Sequence, residues 1–379
     1  MLLDMRLRGV GTDVTVQLHG IDESQGGEIL AAWQRCLVGS SWSEEEAECA
    51  HGGVSVNLLS EAGELGRLEG ESIDDVHHQL VSLVTLAVIE ARRADTLLLH
   101  AGGVADPRSG RVAALVGASG AGKTTAIRRL AATYDYVSDE TIGVEPRSLA
   151  VHPYPKPLSL KVGDRRTKLQ AGPDQLGLSP LPAGRGLELG AVLLLERALE
   201  GGPERPLLEP VPLVEAVVEL VPQISYLSAR QRPLEGLLEA LGRAGGARRL
   251  SYRNDADLGE VVGGLLASPP VPVETGHVPA PSASSADRGI RRLEVQDAVE
   301  VEGCLVILKD DRVTALAGIA PAIWRAADGA DLGGIVEAVV AEHGDPAAAG
   351  APSGASAEEL VRSALGEMAA AGVLLGEGS

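Results

Sequence analysis

The sequence predicts an α/β protein followed by a small α+β domain of winged-helix-like type. Three observations predict it. A strand, a glycine-rich loop and a helix follow one another at 112–133. Strand and helix patterns alternate again from 186 to 266. After a stretch rich in Pro and Ser, three short strands precede three helices.

The loop carries the most chemistry. Gly117-Ala118-Ser119-Gly120-Ala121-Gly122-Lys123-Thr124-Thr125 fits G-x-x-x-x-G-K-[ST]. Its glycines let the backbone approach an anion, and its N–H groups form a nest for a phosphate. The following helix adds the positive end of its dipole. Lys123 supplies charge for β- and γ-oxygens, and the Thr124 hydroxyl suits Mg²⁺. The pattern predicts binding of ATP or GTP with Mg²⁺ across 117–125. The buried-strand pattern of Val112-Ala-Ala-Leu-Val116 and the helical pattern of 124–133 supply the required context.

Composition narrows the classes. The chain has 379 residues, 45% of them apolar, and no Phe, so its cores are built from Leu, Val, Ile and Ala. A net charge of -20 argues against a nucleic-acid partner, which requires a basic face. No apolar run reaches membrane-spanning length and the first residues do not form a signal peptide, so no membrane partner and a cytoplasmic location are expected. Cys36, Cys49 and Cys304 lack metal-type spacing and suit a reducing compartment. Lysine occurs only at 123, 156, 161, 168 and 309, a clustering that suggests phosphate handling. The composition is compatible with a homo-oligomer.

Residues 1–94 form an N-terminal α+β region. Val14–Leu18 and Val54–Leu58 alternate like half-buried strands, a helix is expected at 27–37, and 74–93 is a clear amphipathic helix. Ser72 with Asp75 resembles a capping box. His19, His51, His77 and His78 are scattered and read as surface or structural residues.

The core is expected at 95–266. Thr96–Ala105 and the strand before the loop are joined by a short turn at Asp106-Pro-Arg-Ser-Gly110, so the pair should be antiparallel. Tyr134-Asp-Tyr-Val-Ser138-Asp139-Glu140-Thr141 reads as a strand ending in an acidic pair, expected beside the loop strand. Gly190-Ala-Val-Leu-Leu-Leu195-Glu196 is a second apolar strand ending in an acid, so Glu196 competes with Asp139/Glu140 for the acidic role. Lys161, Arg165, Arg166 and Lys168 could clamp a phosphate or meet an acidic substrate, or could form a solvated loop. Residues 267–289 are Pro/Ser-rich and read as a linker.

Together, the antiparallel strand before the loop, His100, the 134–141 strand and His152-Pro-Tyr-Pro-Lys156-Pro-Leu-Ser159-Leu-Lys161 resemble the HPr kinase/phosphorylase and phosphoenolpyruvate-carboxykinase type of core over about 95–165. Thr124 in place of the commoner Ser, and Asp-Glu in place of Asp-Asp, are departures from the HPr kinases. The resemblance implies phosphoryl transfer. Asp139 is the best candidate for the base and Glu140 could help hold Mg²⁺, while His100 could sit near the phosphates or tune Asp139, or could be a satisfied strand-end histidine.

The last segment, 290–379, offers strands at Val295–Val301, Cys304–Leu308 and 312–317, a tight turn at Asp310-Asp311, and helices at 321–327, 332–343 and 358–370. Asp331 is an expected N-cap, and Ser356 with Glu359 a capping box. Leu308 through Leu316, Ala322-Ile-Trp324, the Asp328-Gly329 turn and Gly372-Val-Leu-Leu375 resemble the PqqD-like peptide-recognition domains of ribosomal-peptide pathways. That resemblance implies peptide docking on Arg312, Val313, Thr314, Ala315 and Leu316, beside the last helix. A DNA-binding winged helix is the rival, disfavoured by the acidic composition.

The combined expectation is a P-loop kinase acting on a Ser or Thr hydroxyl of a precursor peptide or small protein, with the C-terminal domain binding the leader. A nucleotide-switched peptide-binding module and a small-molecule kinase with a regulatory C-terminal domain are the alternatives.

Overall fold

The computed structural model describes residues 1–44, 54–60, 63–70, 73–160, 169–198, 201–346 and 356–375. The expected Ser72–Asp75 box, Cys49, His51 and the 161–168 cluster with Lys161, Arg165, Arg166 and Lys168 all involve residues outside these. The chain divides into two compact units: Met1–Pro210 with Gln223–Ser225 and Arg243–Pro272, and Val211–Pro222 with Tyr226–Gly242 and Val273–Ser379.

The first unit opens with strands β1 (Leu2–Gly9) and β2 (Thr12–His19), helix α1 (Glu23–Trp33), then β3 (Leu37–Ser43), β4 (Val54–Ser60) and β5 (Gly63–Gly70). These strands form one antiparallel sheet in the order β3-β1-β2-β4-β5. Helix α1 starts four residues before the expected 27 because Asp22 and Gln25 form a reciprocal capping box. Helix α2 (Ile73–Ala91) packs its Val76, Leu80, Val84 and Val88 stripe into the core of this sheet. Tyr154, from the segment after the Val151–His152 strand, is fully buried in the same cluster, so residues 1–94 share a hydrophobic core with the segment around Tyr154.

Thr96–Ala105 breaks at His100 into β6 (Leu97–Leu99) and β7 (Ala101–Ala105), which lie in different sheets. Then come β8 (Arg111–Val116), α3 (Lys123–Leu130), β9 (Asp135–Ser138), β10 (Ile142–Val144), β11 (Val151–His152), β12 (Leu158–Leu160), β13 (Leu169–Ala171), β14 (Glu188–Arg197) and β15 (Leu207–Val211). β7 pairs antiparallel with β8, as the short turn predicts. β14 pairs parallel with β8 on the other side. With β17 (Ala247–Tyr252), the central sheet runs β15-β17-β14-β8-β7-β9. The Asp139 strand, β9, therefore stands one strand away from β8 rather than beside it: β7 lies between them. α3 packs on β7, and α6 (Leu258–Leu266) packs on β8 and β14. β6 is the partner of β10 and of β16 (Ile224–Ser225).

Helices α4 (Leu213–Leu220) and α5 (Pro233–Arg243) continue the alternation expected across 186–266, yet 211–222 and 226–242 pack with the C-terminal unit, not with the core expected at 95–266. The reason is visible in their caps. The amides of Leu213 and Val214 donate to Glu302 at 3.0 Å each, and that of Leu234 donates to Asp297 at 2.8 Å. Glu302 and Asp297 thus take two first-turn amides of α4 and one of α5, donors that the helices leave unpaired.

That sheet runs β18 (Val278–Pro279), β20 (Asp297–Val301), β21 (Cys304–Lys309) and β22 (Arg312–Leu316). Two-residue turns join the last three, at Glu302-Gly303 and Asp310-Asp311, all with φ between 50° and 73°. A small sheet of β19 (Ile290–Arg292), β23 (Asp328–Ala330) and β24 (Leu374–Leu375) accompanies helices α7 (Ala320–Ala326), α8 (Leu332–His343) and α9 (Ala357–Ala370). Asp331 caps α8, and Ser356 with Glu359 forms the expected box on α9. The 267–289 stretch is not a bare linker. The Trp324 indole donates to Pro281 O at 2.8 Å, Ala280 N donates to Ala298 O at 2.8 Å, and Asp328 binds the amides of Ser285 and Ala286. Its carbonyls and amides serve the buried Trp324 indole and the edge of β20.

Candidate functional site

β8 ends in Val116, and the chain turns through the glycine loop into α3. Gly120 and Gly122 have φ of 87° and 88°, the left-handed region that a side chain resists. Gly122 serves as N-cap of α3 without a side chain, so the helix amides face the loop. Lys123 follows at once. Its ammonium donates to the carbonyl of Gly117 and, at 3.4 Å, to that of Ala118. The loop lysine is thus folded onto its own loop.

β9 delivers Asp139 to the same place. The Ser138 hydroxyl accepts from the amides of Glu140 and Thr141 at 3.3 and 3.1 Å and fixes the turn after the strand. The fully buried Tyr136 hydroxyl donates to Asp139 Oδ1 at 3.3 Å. His100 enters from the break between β6 and β7, its amide tied to Gln223 O at 2.6 Å. A cleft of about 720 Å³ is lined by His100, Ser119, Lys123, Thr124, Asp139 and Glu140. The structure therefore brings the loop, the acidic pair and His100 together, as the sequence implies.

Three further cations line that cleft: Lys156, Arg197 and Arg128. Lys156 is 1% exposed and bridges the acids, 2.7 Å from Glu140 Oε2 and 3.4 Å from Asp139 Oδ1. It sits in Pro153-Tyr-Pro-Lys-Pro157, where each residue before a proline is pushed to extended backbone. Tyr154 anchors the stretch: its amide donates to Val137 O at 3.1 Å and its hydroxyl meets that of Thr85 at 3.1 Å. The clustering of lysines and the proline-bearing segment 152–161 are the sequence signals that point to Lys156. The second cation, Arg197, ends β14 and lies against Gly122. Glu196, the competing acid, is exposed and accepts from the Ser251 hydroxyl at 2.8 Å.

The electrostatics follow the packing. Burial lowers the pKa of Lys123, opposed by Glu140 and Asp139. Burial also lowers that of His100, helped by Lys123 and opposed by the acids, which favours a neutral imidazole. At Lys156 burial works against the charge, but Asp139 and Glu140 outweigh it and hold the ammonium above the usual lysine range.

The residues fit a magnesium nucleotide. Space stands open over Gly120, where an added Cβ would meet nothing within 4 Å. The Thr124 hydroxyl and two carboxylates share the cleft with the loop lysine. Among the described residues no cluster of three or more His, Cys, Asp or Glu could hold a metal ion by itself, so phosphate oxygens would have to complete the shell of a Mg²⁺ here.

The expected docking strand, β22, is the edge of its sheet. Val313, Thr314 and Leu316 are half-buried, Arg312 and Ala315 exposed. α4 packs against β22, a neighbour that the sequence does not suggest. No helix among the described residues is long and apolar enough to cross a membrane. No protein-family model and no curated protein matches the chain.

Proposed function

We propose that the protein is a cytoplasmic kinase. It transfers the γ-phosphoryl group of ATP or GTP to a Ser or Thr hydroxyl of a ribosomally made peptide or small protein. The observation that carries this reading is the meeting of Lys123, in its phosphate loop, with the buried Asp139 in one cleft. A switch needs the loop; a transferase needs an acceptor for the hydroxyl proton as well.

Mg-nucleotide supplies the phosphoryl group and the charge neutralisation of the triphosphate. The chain's own part is positioning and proton handling. The loop amides and Lys123 hold the β- and γ-oxygens, Lys123 leaving the Gly117 carbonyl to do so. Thr124 and Glu140 are the residues that would hold Mg²⁺. Asp139 accepts the proton of the acceptor hydroxyl as its oxygen bonds to the γ-phosphorus. The bond from that phosphorus to the β,γ-bridging oxygen breaks, and its electron pair leaves with the diphosphate. Tyr136 keeps Asp139 aimed, and His100 stays neutral near the phosphates.

The C-terminal unit supports a peptide as acceptor. β22 is a sheet edge that carries both half-buried and exposed residues, suited to adding a peptide strand through main-chain bonds. Incubation with γ-³²P-labelled nucleotide and a co-expressed candidate peptide tests the reading. Label on a peptide Ser or Thr is expected. Nucleotide binding with no transfer to any peptide would leave the nucleotide-switched binding module, and label on a small metabolite alone would leave the small-molecule kinase.

A further inference from the structure

Among the described residues that line the cleft, Lys156 is the charged side chain that is wholly enclosed, at 1% exposure, and it touches both acids. Lys156 also donates to Pro157 O at 3.3 Å, so its three protons meet two carboxylates and a carbonyl. Its backbone is held as firmly as its ammonium. Prolines flank it on both sides, and the neighbouring Tyr154 is buried against Gly9, where an added Cβ would come within 2.5 Å of the ring. A flexible, well-hydrated lysine would be a poor stability device here. Taking the charges of Lys156 and Asp139 out of water is costly unless they pair and hydrogen-bond with one another, as they do here.

We propose that Lys156 is a positioning residue for the phosphoryl transfer proposed above, a built-in cation that takes the place on the Asp139/Glu140 pair where a second divalent ion would sit. Two-metal phosphoryl-transfer sites clamp the attacking and leaving oxygens between their ions, and those ions also neutralise the carboxylates that hold them and fix their geometry. Here an ammonium does the latter two without leaving the protein. It lies nearer Glu140 than Asp139, by 2.7 against 3.4 Å, so it braces the former and leaves the latter the looser contact that a proton acceptor requires. The consequence is a site that takes one divalent ion with its nucleotide, not two. The inference rests on the kinase reading for its role in turnover, but the ion count can be read without any turnover.

The test uses the full chain loaded with Mn²⁺ and a non-hydrolysable nucleotide analogue. Electron paramagnetic resonance counts bound Mn²⁺ per chain, and a fluorescent nucleotide reports affinity. Wild type and Lys156→Arg are expected to hold one Mn²⁺. Lys156→Met removes the Lys156 ammonium from the acidic pair and is expected to hold two. Its nucleotide affinity should stay within about threefold, because Lys156 braces acids rather than phosphates. Its kcat should fall about 10²-fold or more with nucleotide KM little changed, as displacement of a positioned group does. Lys156→Arg should recover part of that loss. If Lys156→Met does not fold, Lys156→Gln, which can hydrogen-bond both acids without charge, reads the same count. One Mn²⁺ in every variant, or two in wild type, would overturn the inference. So would a loss confined to nucleotide affinity, which would make Lys156 a phosphate ligand. A wild type that counts one ion but transfers no phosphoryl group would sink the kinase reading and leave the ion count standing.

Discussion

Lys123 donates its ammonium to the carbonyl of Gly117, six residues back in its own loop. The contact gives the lysine an acceptor within its own loop. Replacing the side chain with Ala removes a charge-assisted contact worth about 1.5–3 kcal/mol to an anion, roughly ten- to a hundredfold in affinity. Calorimetric titration with Mg-ATP and Mg-GTP should show that loss in Lys123→Ala, and turnover should vanish. Unchanged affinity would mean that nucleotide binds elsewhere.

The two acids that compete from sequence have separable fates. Asp139 is 7% exposed and receives the Tyr136 hydroxyl, whereas Glu196 is exposed and bonds to Ser251. Asp139→Asn keeps the shape and loses the proton acceptor, so transfer should fall about 10²-fold or more with nucleotide binding retained. Glu196→Gln should keep near wild-type rates. The reverse pattern in single-turnover assays would move the base to β14.

Gly102, on β7, faces α3. A Cβ built on it would lie 2.4 Å from Ile127 Cγ1 and 2.8 Å from its Cδ1. Gly102→Ala should therefore push α3 off the sheet, at about 1–3 kcal/mol of stability, and should weaken nucleotide binding because α3 starts at Lys123. Ile127→Ala removes both clashing atoms. The double variant should be more stable than the sum of the single losses, a coupling readable in urea unfolding. Strict additivity would show that α3 does not rest on Gly102.

How much of the fold and site is legible in the sequence depends on distance along the chain. The phosphate loop is fully readable, because its donors, glycines and lysine are contiguous and the chemistry fixes their spacing. Asp139 is readable as a strand-end acid, but its strand's place is not, since nothing in β9 says that β7 intervenes. Lys156 is visible only as one lysine of a cluster, within the proline-bearing segment; its meaning depends on Tyr154 reaching Val137 and Thr85, contacts that span up to 69 residues. The helices at 213–220 and 234–241 are evident from periodicity, yet the unit they join is decided by Glu302 and Asp297, far along the chain. The 267–289 composition suggests a linker because prolines and serines cannot form a core. It does not show that their carbonyls and amides are used by Trp324 and Asp328.

The contact with Asp328 gives a prediction for the Pro/Ser stretch. Asp328 accepts from Ser284, from the Ser285 amide at 2.8 Å and from the Ala286 amide at 3.2 Å. The Ser284 hydroxyl first, then the Ser285 amide and hydroxyl, hold its pKa down to about 2. A folded pKa below the unfolded one means that the tether is fully present above the ordinary Asp value of about 3.9 and is lost as pH falls through the folded value. Asp328→Ala should open 282–289 to a nonspecific protease at pH 7, while wild type resists. Equal cleavage of the two would mean that Asp328 does not hold the segment.

The final prediction concerns α4 and the edge strand it packs on. Both oxygens of Glu302 accept from the first turn of α4, from Leu213 and Val214 at 3.0 Å each. Glu302 itself sits in the β20–β21 turn with φ of 50°, held there by the two-residue hairpin. Glu302→Ala removes a carboxylate cap that also complements the helix dipole, at about 0.5–2 kcal/mol. Because α4 packs on β22, a frayed α4 loses the wall that it gives to the edge strand. Binding of a labelled leader peptide, followed by fluorescence anisotropy, should therefore weaken in Glu302→Ala, while Mg-nucleotide affinity stays unchanged. Glu302→Gln retains one acceptor oxygen without the charge, and should fall between. Weaker peptide binding in Glu302→Ala with normal binding in Leu316→Ala would place the peptide on α4 alone. No effect in either variant would remove β22 and α4 together from the peptide site, and the acceptor would have to be recognised at the nucleotide cleft itself.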